Sequence, residues 1–159
     1  MAKSKKRKQK PYDKRTDVEK IQANWTKIKG LLERKEWSSA IVRAATATEI
    51  AANLVVREEF IDGRGLEPTL VDHFLRWANG VQGKFDKLIL PATKGKDQGA
   101  SFHKLKKRVE DLNAERNSIV HSGSFKNSKA AKKVVVEAKA IILELLEPYY
   151  EGFELKELS

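Results

Sequence analysis

The sequence predicts an all-α protein, an up-and-down helical bundle of about five helices. Apolar residues recur at steps of three and four along nearly the whole chain from Thr16 onward, which places them on one side of each helix. Short polar or glycine-containing segments separate these periodic stretches, as in bundles of long helices joined by short loops. The run of three valines at residues 134–136 lies inside a helical pattern, so no strand is predicted.

Capping residues place the first two helices. Thr16 and Glu19 match a capping box, in which each side chain accepts a hydrogen bond from the other residue's backbone N–H. This helix is predicted to end near Lys35. A second helix, capped by Ser38 or Ser39, ends at the next pair of glycines along the chain.

Proline, glycine and serine delimit the other three helices. Pro68 suits the first turn of a third helix, because its missing N–H would have no partner there. A glycine inside a helix costs about 1 kcal/mol relative to alanine, so a bend or break is predicted near Gly80. Ser101 opens the fourth helix, and Ser128 caps the last helix, which ends at Pro148.

The positive charge is concentrated at the N-terminus. The formal net charge is +10, and residues 1–15 carry eight Lys or Arg against a single Asp. We expect a disordered basic arm at 1–15, a helical domain at 16–149 and a C-terminal tail at 150–159. Two interpretations of the arm remain open: RNA contact through phosphate neutralisation, or a solubilising or localising arm. The candidate RNA-binding residues in the arm are Lys5, Lys6, Arg7 and Lys8.

Composition excludes several kinds of site. The chain has no cysteine, and its three histidines form no HExxH pair, so we expect neither a metal nor a cofactor. No apolar run approaches the ~20 residues that cross a bilayer, and no apolar segment of a signal peptide follows the basic start. The expectation is a soluble, cytoplasmic protein.

Polar residues within the apolar stripes are the candidate functional residues. Arg116 occupies the heptad position of Phe102 and Val109, where a guanidinium requires an anion from the protein or from a ligand. Glu49 lies among small residues of the second helix and is the natural buried partner for Arg116. Spacing alone favours a structural interpretation, in which this pair fixes the register and His121 interacts with the helix dipole.

The segment Arg116-Asn117-Ser118-Ile119-Val120-His121 resembles the Arg-x4-His motif of the HEPN superfamily (higher eukaryotes and prokaryotes nucleotide-binding domains). It has the form in which Asn follows Arg, and it falls near the end of the penultimate predicted helix, as in that family. The helix around Glu49 is similar to an earlier HEPN helix. Residues 66–99 look like an inserted helix, and the basic arm is not part of the family pattern.

The resemblance implies a metal-independent endoribonuclease that works as a homodimer and cuts RNA through its 2′-hydroxyl. His121 would be the general acid or base, and Arg116 would hold the scissile phosphate. Asn117 would orient the imidazole or the substrate, and Glu49 would position Arg116. The resemblance also suggests a toxin or defence component, with an antitoxin of nucleotidyltransferase type as a partner.

Two other functions remain open. Some HEPN domains are non-catalytic modules that bind nucleotides, RNA or protein partners, and a basic helical RNA-binding protein would need no catalysis. On the fourth helix, Lys104, Lys107 and Arg108 are candidate RNA-binding residues, with a solvated helix face as the alternative. The apolar stripe of the third helix contains Trp77, so Trp77 is predicted to be core and not a stacking platform, as are Trp25 and Trp37.

Overall fold

The structure is a computed structural model that describes residues 10–156. This part of the chain is all-α and contains no strand, as predicted. Two π-helical turns extend the helices: Glu58–Asp62 continues α2, and Phe85–Ile89 joins α4 to α5. The α-helical segments are α1 Asp17–Glu33, α2 Trp37–Arg57, α3 Pro68–Trp77, α4 Gly80–Lys84, α5 Leu90–Thr93, α6 Gly99–Lys104, α7 Lys106–Val120 and α8 Ser128–Leu146.

The described residues form seven helices, because α4 and α5 are continuous, whereas about five were predicted. Two of the predicted helices are each divided. The third ends at Trp77, and Gly80 takes a left-handed φ of 74° that a side chain would disfavour, so the predicted bend is a complete break. The fourth is interrupted at Leu105, where α6 ends and α7 begins.

Helix starts agree with the sequence to within one or two residues. The capping box of Thr16 and Glu19 is confirmed, with the Glu19 N–H donating to the Thr16 hydroxyl at 3.2 Å. The second helix begins at Trp37, slightly before the predicted serines. The last helix is capped by Asn127 and not by Ser128, because the Asn127 side chain accepts from the Ala130 N–H at 2.9 Å.

Helix α2 is the centre of the bundle and packs against α1, α4, α7 and α8. Fully buried alanines at 40, 44, 47 and 51 let neighbouring helices approach it closely. With its π-helical turn it is the one helix of residues 10–156 long and apolar enough to cross a membrane. Its most apolar window is 67% buried inside the bundle, as expected for the core helix of a soluble protein.

Both ends of the described chain contact α1. Residues Tyr12–Lys14 form a 3₁₀ turn, and the Tyr12 hydroxyl accepts a hydrogen bond from the Asn24 amide at 3.0 Å. Near the C-terminus, the Gln22 amide donates to the Glu154 carbonyl at 2.8 Å, and Leu155 is buried. The arm residues Lys5, Lys6, Arg7 and Lys8 lie outside the described residues.

A buried carboxylate fastens the end of α2 to two later segments. Glu59 is 3% exposed and accepts hydrogen bonds from Lys96 at 2.6 Å, Arg64 at 3.1 Å, Gln98 at 2.9 Å and the Tyr149 hydroxyl at 2.6 Å. Burial raises the pKa of Glu59, but the hydrogen bonds from Lys96, Tyr149 and Arg64 outweigh it and lower the pKa. Ionised Glu59 is thus stabilised by the fold.

Replacing Glu59 by Gln should lower the free energy of unfolding at pH 7 by about 2 kcal/mol, because two cationic donors lose their charged acceptor. A lowered folded-state pKa means that the contribution of Glu59 is present above the unfolded value of about 4.3 and is lost as pH falls towards the folded value. The free energies of unfolding of the wild type and Glu59→Gln, measured with denaturant from pH 7 to pH 3, should therefore converge at low pH.

The neighbouring Glu58 provides a matched control. Burial raises its pKa, although the Tyr150 hydroxyl hydrogen-bonds it, so Glu58→Gln should not reduce the loss of stability in acid. Stability–pH curves that stay parallel for the wild type and Glu59→Gln would contradict this account of the cluster.

Candidate functional site

A left-handed glycine ends α7 immediately after the Arg-x4-His segment. Gly123 has a φ of 64°, and its N–H donates to the Ile119 carbonyl at 3.1 Å, an αL cap. His121 is the C-cap residue and donates its backbone N–H to the Asn117 carbonyl at 2.9 Å. The imidazole consequently lies at the exposed end of the helix and not on its buried stripe.

The four residues proposed from the sequence as catalytic or supporting line one pocket of about 570 Å³. Arg116, Asn117 and His121 come from the C-terminal end of α7, and Glu49 comes from α2. The opposite wall comes from residues 79–87, which belong to the segment interpreted as an insertion. Its other lining residues include Asn79, Gly80, Gln82, Asp86, Lys87 and Asn113.

Arg116 lies in this pocket, and the described part of the chain gives it no acidic partner. Phe102 and Val109, its heptad equivalents, are fully buried, whereas Arg116 is half-buried. Its Nη1 donates to the Asn117 Oδ1 at 3.2 Å, and no carboxylate of residues 10–156 forms an ion pair with it. The amide of Asn117 therefore holds the guanidinium, whose other donors can bind an anionic ligand.

Glu49 pairs with a residue that the sequence analysis missed. The Lys84 ammonium donates to the Glu49 Oε1 at 2.9 Å, and Lys84 is only 5% exposed. The predicted pair of Glu49 with Arg116 is therefore replaced by a pair between α2 and α4. A signal for Lys84 was present, since it lies three residues after Val81 and four before Leu88 on an apolar stripe.

The His121 imidazole makes no hydrogen bond or ion pair within the part of the chain that the structure describes. Both ring nitrogens can therefore serve as a proton donor or acceptor for a bound molecule. Across residues 10–156, no group of three His, Cys, Asp or Glu side chains is arranged to hold a metal ion.

The candidate RNA-binding residues of the fourth predicted helix, Lys104, Lys107 and Arg108, do not line this pocket. Lys107 pairs with Asp111 at 2.9 Å within α7. Arg108 pairs with Glu137 of α8 at 2.8 Å, which ties its guanidinium to the neighbouring helix. Lys104 is exposed at the end of α6. RNA contact by Lys104, Lys107 and Arg108 stays a prediction.

The prediction that Trp77 is core is wrong. Trp25 is 1% exposed, but Trp77 is 63% exposed. Helix α3 carries two adjacent apolar stripes, and the face that packs is that of Val71, Leu75 and Ala78. The prediction assumed that the adjacent stripe, which contains Trp77, is the buried one. The structure places Trp77 at the surface beside the pocket wall.

Comparison of this chain with protein-family models, with curated proteins and with solved structures finds no match.

The observed ion pairing predicts losses of stability of different size for two substitutions. Glu49→Gln should lower the free energy of unfolding by about 3 kcal/mol, because it leaves the buried Lys84 ammonium without a counter-charge. Arg116→Ala should cost less than about 1 kcal/mol, because it breaks no ion pair. Denaturant unfolding of both variants measures the difference.

A double variant supplies the control. Adding Lys84→Met to Glu49→Gln removes the unpaired charge and should recover most of the lost stability. Equal losses for Glu49→Gln and Arg116→Ala would mean that Arg116, and not Lys84, is the working partner of Glu49.

Proposed function

We propose that this protein is a metal-independent endoribonuclease of the HEPN type, which cuts RNA by attack of a ribose 2′-hydroxyl. The observation that carries the proposal is the pocket at the end of α7. Among residues 10–156, its half-buried guanidinium has no carboxylate partner and its imidazole no hydrogen bond, and both belong to the residues that resemble the Arg-x4-His motif.

In this mechanism Arg116 binds the scissile phosphate. Its planar guanidinium can donate two parallel hydrogen bonds to non-bridging oxygens and stabilise the charge that develops there. Asn117 keeps the guanidinium in place through its 3.2 Å hydrogen bond. Glu49, already neutralised by Lys84, does not compete with the phosphate for Arg116.

His121 carries out the proton transfers of the reaction. As a general base it removes the proton of the 2′-hydroxyl, and the 2′-oxygen then forms a bond to phosphorus. The bond from phosphorus to the 5′-oxygen breaks, and the leaving oxygen takes up a proton from an imidazolium. The products are a 2′,3′-cyclic phosphate and a 5′-hydroxyl. DNA lacks the 2′-hydroxyl and would not be cut.

The same proposal includes a homodimer with the α7 ends facing each other across a two-fold axis. One pocket contains one imidazole, whereas the reaction uses both a base and an acid, and a second copy would supply the other. Exposed apolar side chains within and just after the motif favour such a contact: Val120 is 47% exposed and Phe125 is 97% exposed.

A second candidate function is a non-catalytic module that binds a nucleotide or RNA. It is favoured by the same count of one histidine per pocket, since Arg116 could bind a phosphate without any proton transfer. RNA contact by the basic arm and an antitoxin partner of nucleotidyltransferase type are compatible with either function.

Sedimentation at micromolar concentration should give a dimer for the wild type. Phe125→Ser should shift the protein towards monomer, because it removes exposed apolar surface beside the motif. Val136→Ser is the matched control, since Val136 is also exposed, at 66%, but lies on α8. A monomeric wild type would contradict the proposed dimer.

The nuclease should cut single-stranded RNA in the presence of EDTA and leave 2′,3′-cyclic phosphate ends. His121→Ala should reduce the cleavage rate by ~10²-fold or more with little change in stability, because the imidazole is exposed. Arg116→Ala should also abolish most cleavage. Product analysis and single-turnover rates measure both effects.

His103→Ala is the control, because His103 is likewise an exposed helical histidine but does not line the pocket. If His121→Ala cuts RNA as fast as the wild type, the assignment of catalysis to this motif is wrong. RNA that binds with the help of Arg116 but is never cut would favour the non-catalytic module.

A further inference from the structure

We propose that Trp77 is a stacking platform for an unpaired RNA base next to the phosphate held by Arg116. The inference rests on the proposed function for that phosphate, but it concerns a different part of the surface. It assigns to the segment from the end of α3 to α5 a part in binding single-stranded RNA, whereas the sequence pattern marked that segment only as an insertion.

The exposure of Trp77 is the first observation. It is the last residue of α3 and is 63% exposed, although its helix buries Val71, Leu75 and Ala78 against the bundle. An indole is the largest apolar side chain, and leaving it in water is unfavourable without a partner. The bundle therefore does not need Trp77 for its core, and the ring is available to a ligand.

The position of Trp77 is the second observation. The Lys87 ammonium lies over the indole ring, 4.7 Å from its centroid, and Lys87 also lines the Arg116 pocket. Asn79, two residues after Trp77, lines the same pocket. The Lys87 side chain thus contacts the ring and also lines the pocket. An RNA chain whose phosphate occupies the pocket therefore has a base within reach of the ring.

The charges near the ring suit a nucleotide. Neither Lys87 nor Arg116 forms an ion pair with a carboxylate of residues 10–156, so the pocket and its edge hold two cations without an acidic partner. Lys87 can bind a backbone phosphate while it keeps its contact with the ring. Adjacent cations and an aromatic ring are the two elements with which proteins bind single strands.

The pocket wall also carries groups that can hydrogen-bond a base edge. Asn113 donates to the Gln82 Oε1 at 3.1 Å, which leaves the Gln82 amide nitrogen as a donor. Asp86 also lines the pocket, but its Oδ1 is buried and has no hydrogen-bond partner among residues 10–156. The hydrogen-bonding groups for a base edge are therefore the amides, which can both donate and accept.

A base must be unpaired to lie on this ring. In an A-form duplex the bases stack on each other and their faces are not accessible, whereas in loops and single strands they stack on aromatic side chains. The platform therefore selects single-stranded RNA without reading a particular sequence, because every base has a π-face.

The test uses a single-stranded oligonucleotide with 2′-O-methyl riboses, which cannot be cut by 2′-hydroxyl attack. It is compared with a series of oligonucleotides that each lack one base, at a different position in each. The wild type should lose about 10-fold or more in affinity when one particular base is absent. Trp77→Ala should bind the complete strand about as weakly as the wild type binds the strand that lacks this base. Its affinity should not fall further when the base is absent. Trp77→Phe should keep most of the discrimination.

Leu70→Ala is the matched control, because Leu70 is also exposed on α3, at 43%, but does not line the Arg116 pocket. It should bind as the wild type does. Thermal unfolding of Trp77→Ala should match that of the wild type, since the ring is exposed. On cleavable RNA, Trp77→Ala should raise KM about 10-fold and leave kcat unchanged.

The outcomes separate this inference from the nuclease proposal. If the wild type cuts RNA but Trp77→Ala has the same affinity and the same KM, the platform is wrong and the nuclease stands. If the wild type discriminates the missing base through Trp77 but never cuts RNA, the nuclease is wrong and the platform stands. A wild type that does not bind the oligonucleotide overturns the platform.

Discussion

The ion pair between Lys84 and Glu49 is the interaction on which the arrangement of the pocket depends. Lys84 is only 5% exposed, so its ammonium needs a counter-charge, and the small residues around Glu49 on α2 let α4 approach closely enough for Glu49 to provide it. The pair fixes α4 against the central helix of the bundle. Since α4 and α7 both face Glu49, the same contact decides where the pocket opens.

A consequence of this pairing is that one positive charge is left over. If Glu49 were bound to Arg116, the guanidinium would be neutralised and the pocket would have little attraction for an anion. Lys84 satisfies Glu49 instead, and among residues 10–156 only the neutral amide of Asn117 holds Arg116. The fold therefore keeps a guanidinium half-buried without an anion from the described part of the chain, an arrangement that costs stability unless a ligand supplies the anion.

Local signals predicted much of the fold and part of the pocket. The capping box at Thr16 could be predicted because it involves residues three apart. Arg116 could be recognised because apolar residues recur every seven positions along its own helix. The partner of Glu49 could not be predicted this way, because it depends on where another helix lies. Trp77 was misplaced because α3 offers two apolar stripes, and only packing against the bundle decides between them.

The buried Glu59 joins parts of the chain that are synthesised at very different times. Its bond to Tyr149 spans 90 residues, whereas its bond to Lys96 spans 37. During translation the end of α2 leaves the ribosome long before Tyr149 exists, so this carboxylate must stay hydrated or incompletely satisfied until almost the whole chain has emerged. Closure of the cluster is therefore a late event in folding, and a ribosome-bound chain that stops before residue 149 would hold the end of α2 less firmly.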